Sequence, residues 1–119
     1  MTTRILIVDD EPLIAMTAVD MVEALGYEAV EAHSGAAALE ILVSGKAIDL
    51  LITDHSMPGM SGAELVREAR LIKPDIAVMV STGYSELPDE FASEVQFLSK
   101  PYSELDLSNK IEAAIQSGL

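Results

Sequence analysis

The stretch Ile5-Leu6-Ile7-Val8-Asp9-Asp10-Glu11-Pro12 decides how the rest of the chain reads. Contiguous apolar residues rich in β-branching fit a strand covered on both faces, as in the interior of a parallel sheet. The run ends abruptly in carboxylates. Pro12 suits the first turn of a helix, where no backbone N–H is needed. Beyond it, Leu13, Met16, Ala18 and Val19, Val22 and Leu25 recur at helical spacing, and Gly26 ends the pattern. The opening unit is therefore a strand, a short acidic turn and a helix.

The strand-then-helix order recurs along the chain with different connecting turns. Tyr27 to Ala32 reads as a short strand, and Ser34-Gly35 opens an Ala-rich helix from about Ala36 to Val43. Leu50, Leu51 and Ile52 form a buried strand that runs into Asp54. Ser61 with Glu64 three residues on has the form of a capping box, opening a helix that stops before Pro74. Ile76 to Val80 is a further apolar strand, followed by Ser81-Thr82-Gly83-Tyr84. A short, weak helix is expected within Pro88 to Ser93. Val95 to Ser99 is the last strand, and Ser103 caps a final helix from Glu104 to about Gln116. Strands alternating with helices across short connections imply an α/β domain, a parallel sheet with helices on both faces and right-handed crossovers.

At 119 residues, with no linker or repeat, residues 1–119 read as one domain. The chain has no cysteine, which removes disulfide and thiolate-metal chemistry. The N-terminus lacks the form of a signal peptide, and no apolar run approaches the ~20 residues of a membrane span. The expected location is the cytoplasm. Twenty acidic against seven basic residues give a net charge of −13, which argues against nucleic acid or an anionic membrane as partner.

In an open parallel sheet, ligands bind beyond the carboxyl ends of the strands. At that edge the first strand delivers Asp9 and Asp10, and the third delivers Asp54. The fourth delivers Ser81 and Thr82, and the fifth delivers Lys100. Any one of these carboxylates is ordinarily a turn former or helix cap; a joint arrangement at several strand ends is not explained that way. Crowded carboxylates repel, and a hard divalent cation such as magnesium relieves the conflict with oxygen ligands. Lys100 can pair with a phosphoryl oxygen as a point charge. A carboxylate nucleophile, a cation and a lysine are the parts needed for phosphoryl transfer to aspartate. The Lys100-Pro101 bond can be cis or trans.

These residues resemble the receiver domain of two-component response regulators over essentially the whole chain. The likeness rests on Ile5-Leu6-Ile7-Val8-Asp9-Asp10-Glu11, on Asp54 with Met57-Pro58-Gly59-Met60-Ser61-Gly62, and on Phe97-Leu98-Ser99-Lys100-Pro101-Tyr102. It implies a flavodoxin-like sheet of five parallel strands in the order 2-1-3-4-5, with the fourth helix short or poorly formed. It implies that Asp54 is the phosphoacceptor, attacking a phosphohistidine on a histidine kinase or histidine phosphotransfer protein. Magnesium, with manganese able to substitute, would be held by Asp10, Asp54 and the backbone carbonyl of Ser56, with Asp9 acting through a water. Lys100 and a hydroxyl of the fourth strand would hold the phosphoryl oxygens, and Phe97 would be the switch aromatic. Such a chain catalyses its own phosphorylation and dephosphorylation without being a turnover enzyme. As a single-domain regulator, expected to be a monomer, it would signal through a partner protein or by onward transfer.

Ser81 is the family's hydroxyl position. Ser81-Thr82-Gly83-Tyr84 is also similar to a subgroup of single-domain regulators carrying a Phe-Ala-Thr-Gly motif, in which the threonine takes the role. Both residues stay candidates, with Ser81 preferred, because strand side chains alternate faces and both cannot serve equally. Small residues at Ser56 and Gly83 leave the expected path of the hydrolytic water without a positioning side chain. His55 reads as a partly exposed loop residue, His33 as a surface one, and Met57, Met60 and Met79 as packing residues. An aspartyl phosphohydrolase would space its acids differently and carry a cap insertion. A flavin or nucleotide module would need a Gly- or Ser/Thr-rich cradle where Asp9-Asp10-Glu11-Pro12 stands.

Overall fold

Strand alternation sorts the side chains of the sheet into two separate apolar layers. The computed structural model describes residues 3–82, 96–99 and 102–117. Within them the chain order is β1 (Arg4–Val8), α1 (Pro12–Ala24), β2 (Glu28–Ala32), α2 (Gly35–Val43), β3 (Leu50–Asp54), α3 (Gly62–Ile72), β4 (Ala77–Thr82), β5 (Gln96–Ser99) and α4 (Glu104–Ser117). All strand pairs are parallel, in the order β2-β1-β3-β4-β5. The expected fold is therefore present. The proposed short helix within Pro88 to Ser93 and the Lys100-Pro101 bond lie outside the described residues.

Leu6, Val8, Leu51, Val78 and Val80 point to one face, where they meet Ala38 and Leu42 of α2 and Leu65, Val66 and Ala69 of α3. Ile5, Ile7, Leu50, Ile52 and Met79 point to the other, against Ala18 and Val22 of α1 and Leu107, Ile111 and Ala114 of α4. Both faces of β1 and β3 are covered, which is why those strands are continuous apolar runs.

The helices begin where their caps predict. Ser34 accepts from the N–H of Ala37 at the start of α2. Ser61 and Glu64 close a complete capping box on α3. Ser103 and Asp106 make the same reciprocal pair at α4. Gly26 takes a φ of 96° after α1, a left-handed conformation that suits glycine. In α1 the buried residues are Ala15, Ala18 and Val22, while Leu13 and Met16 are largely exposed. Apolar side chains surround this helix too evenly for their spacing to select the packed face. β4 runs two residues past its apolar part, so Ser81 and Thr82 belong to the strand and are both buried. Among the described residues, no helix is long and apolar enough to cross a membrane.

Candidate functional site

The carboxyl edge of β1 and β3 brings together the acidic residues that the sequence scatters. Carboxylate oxygens of Asp9, Asp10 and Asp54 lie within 4.8 Å of one another. Asp9 and Asp54 are buried, and Asp10 is half-buried. Asp9 is oriented from both sides: its N–H donates to the carbonyl of Ala32 at 3.1 Å, and its Oδ1 accepts from the N–H of Glu11 at 3.0 Å. The first bond ties the acidic turn to the end of β2, and the second forms the tight turn into α1.

Asp54 ends β3 in register with Ser81 of β4. Partners in a parallel ladder share a face. Ile52 and Met79, two residues earlier on each strand, belong to the α1 and α4 layer, so Asp54 and Ser81 extend that same side. Thr82 falls on the opposite side, in step with Val80 of the α2 and α3 layer. Phe97 pairs with Val80 and packs, half-buried, on that second layer. Register thus separates two hydroxyls that are neighbours in sequence.

The backbone around Asp54 is held closely. Thr53 Oγ1 donates to the Asp54 carbonyl at 3.0 Å. The His55 N–H donates to the Ser81 carbonyl at 2.9 Å, and the His55 carbonyl accepts from the Gly62 N–H at 2.8 Å. Gly62, at the start of α3, lies so near that a Cβ there would stand 2.5 Å from the Asp54 carbonyl oxygen. Between these anchors the loop turns at Gly59, whose φ is 81°. Ser56 is exposed on this loop, while Met57 and Met60 tuck against the α2 and α3 layer. His55 is half-buried; His33 is exposed and contacts Glu31. Met79 is fully buried. Lys100, Gly83 and Tyr84 lie outside the described residues, although Lys100 directly follows β5 in sequence.

A family model described as the response regulator receiver domain matches residues 5–112. The chain belongs to that family. Over 113 residues this receiver domain is 38% identical to the response regulator receiver protein CpdR of Brucella abortus (strain 2308), covering 92% of this chain and 93% of that protein. It is 35% identical over 122 residues to the sensor kinase CckA of the same organism, covering 97% of this chain but only 13% of the kinase. Among solved structures, a response regulator receiver domain protein from Clostridium thermocellum aligns with a TM-score of 0.88 at 33% identity, covering 97% of this chain and 95% of that one.

The acidic cluster of this receiver domain fits the divalent cation its family implies. Opposite oxygens around an octahedral magnesium are about 4 Å apart, close to the spread of the three carboxylates, and all the donors are hard oxygens. Without a cation the cluster carries crowded like charges. At an effective dielectric of about 20 each such pair repels by roughly 3.5 kcal/mol or more before solvent screening, and the partial exposure of Asp10 screens much of its share. Asp10→Asn is therefore expected to raise stability in chelator by about 1 kcal/mol, or roughly 4 °C in Tm. Magnesium should then stabilise the wild type more than the variant, since linkage rewards only a state that binds it. Thermal unfolding of both proteins with chelator and with magnesium checks this. Equal magnesium responses would remove Asp10 from the metal cluster.

Proposed function

We propose that this receiver domain is a phosphoacceptor switch in which Asp54 takes a phosphoryl group from a phosphohistidine on a histidine kinase or histidine phosphotransfer protein. The observation that carries the reading is the convergence of Asp9, Asp10 and Asp54, with Ser81 in register beside the acceptor. A carboxylate oxygen of Asp54 would attack phosphorus in line, the phosphorus–nitrogen bond would break, and the imidazole would leave with the bond's electron pair, taking up a proton from solvent. The product is an aspartyl phosphate on this chain and a free histidine on the donor.

Asp10, Asp54 and the Ser56 carbonyl would hold magnesium directly and Asp9 through a water; manganese has the same preference for hard oxygen donors. The bound cation would supply charge neutralisation for the crowded carboxylates and the transferring phosphoryl oxygens. Ser81 is assigned the phosphoryl-facing hydroxyl, because its side of the sheet is that of Asp54. Lys100 is assigned the ion pair with a phosphoryl oxygen. Thr82 and Phe97 share the opposite side and are assigned to the response, in which the phosphorylated state biases a two-state element. One phosphoryl group is taken per chain, so the product of the chemistry is a changed surface. The output is a partner protein bound through that surface, or onward transfer of the group.

Intact mass after incubation with a small acyl-phosphate or phosphoramidate donor tests the reading. The wild type should gain one phosphoryl group in magnesium and none in excess chelator. Ser81→Ala should slow uptake roughly a hundredfold, the lower end of the scale for losing one preorganised donor. Thr82→Val should change the rate by less than about threefold on the same scale. The reverse ranking would move the hydroxyl role to Thr82, and uptake that ignores chelation would end the metal-dependent mechanism.

A further inference from the structure

Gly35 and Met60 are far apart in sequence and belong to different strand–helix units, yet they meet where α2 begins. Gly35 is the first residue of α2 and is buried. A Cβ built on it would stand 2.6 Å from Met60 Sδ and 3.0 Å from both Met60 Cβ and Cγ. The Sδ contact could be relieved by turning a flexible side chain. The Cβ contact could not, because that atom is fixed by the backbone of the loop between Asp54 and α3. Helix propensity alone would favour alanine over glycine at this position. The space is instead given to Met60.

The two segments joined here both reach the acidic residues. Upstream of Gly35, the Ala32 carbonyl accepts from the Asp9 N–H at 3.1 Å. Upstream of Met60 lie Ser56 in its loop and Asp54 at the end of β3, and the loop is tightened by the Met60 N–H donating to the Pro58 carbonyl at 2.9 Å. We infer that Gly35 is a positioning residue: by lacking a side chain it seats Met60, and the seated Met60 holds the loop carrying Ser56 at the distance from Asp9 and Asp10 that a cation requires. This rests on reading Asp9, Asp10 and Asp54 as a magnesium site. It adds a contact remote from the ligands that tunes how well they are placed.

The test is a double-mutant cycle on Gly35→Ala and Met60→Ala, read as magnesium affinity from titration of amide and methionine-methyl NMR shifts, with the metal ion alone as probe. Tm in chelator is recorded for each protein. Gly35→Ala should weaken magnesium binding about tenfold, and Met60→Ala about threefold through loss of the seated side chain. The double variant should bind about as well as Gly35→Ala alone, because the Cβ contact persists in both and the two losses act through one contact. In metal-free Gly35→Ala the Met60 methyl resonance should already be displaced. A purely structural role would lower Tm in chelator and leave affinity unchanged; that result, or losses that simply add, would overturn the inference. A wild type with no magnesium response would overturn the metal reading and this inference together. A normal wild-type response with an unaffected Gly35→Ala would overturn this inference alone.

Discussion

Asp54→Asn will take up no phosphoryl group in magnesium from any small donor, a fall of more than about a thousandfold, the scale for removing a nucleophile. The amide keeps the shape of the carboxylate but lacks its anionic oxygen, so it cannot form the bond to phosphorus. The fold should survive, because the hydrogen bonds to the Asp54 carbonyl and the strand pairing do not depend on the carboxylate's charge. Thr53 and Gly62 hold the carbonyls of Asp54 and His55, and β3 stays paired with β4. Circular dichroism and urea unfolding of the variant should therefore resemble the wild type while intact mass shows no adduct. Peptide mapping guards against a misplaced acceptor, since Asp9, Asp10 and His55 are all nearby. Magnesium-dependent uptake within tenfold of wild type would take the acceptor role from Asp54.

Gly62→Ala is expected to be the most damaging single-methyl change near the site. The added Cβ would meet the Asp54 carbonyl oxygen at 2.5 Å, His55 Cα at 2.9 Å and the Asp54 carbonyl carbon at 3.2 Å. All three are main-chain atoms of a strand end paired to its neighbour, so no side-chain rotation relieves the overlap. Either α3 backs away and strains the Gly62-to-His55 hydrogen bond, or the end of β3 shifts and carries Asp54 with it. Overpacking of this kind costs about 1–3 kcal/mol or more, roughly 10 °C in Tm at the upper end. Urea unfolding measures the first consequence, and the rate of phosphoryl uptake under conditions where the variant is folded measures the second. A variant equal to wild type in both would show that this close approach is not needed. Gly35→Ala makes the contrast: its clash is with Met60 on a loop and not with a paired strand, so the loop gives way and the expected loss is mainly in affinity.

How much of this was legible in the chain follows from where each residue's partners lie. Leu50 to Ile52 could be read as a buried strand because burial on both faces leaves no polar residue to blur the run. Ser61 with Glu64 could be read as a helix start because the capping box is local. Asp9, Asp10 and Asp54 were legible through strand polarity, which places strand ends together before any distance is known. The packed face of α1 was not, since apolar residues lie nearly all round it. The reasons for Gly35 and Gly62 were hidden as well. A glycine marks a place where a side chain is excluded, but the excluding atom belongs to another segment. Ser81 and Thr82 were an intermediate case: alternation showed that they differ, and only the register with Asp54 shows which one shares its side.

The separation of the two apolar layers by the sheet has a consequence for descent. Substitutions among the residues of α2 and α3 are compensated within their own layer, and those of α1 and α4 within theirs, because coupling between residues that share no partners is weak. Lineages of this chain are free to redraw one surface while the other keeps its fit. Asp54 and Ser81 lie on the side of α1 and α4, whereas Thr82 and Phe97 lie on that of α2 and α3. The surface on the side of Asp54 and the surface on the side of Thr82 can thus diversify at different rates within a chain of 119 residues.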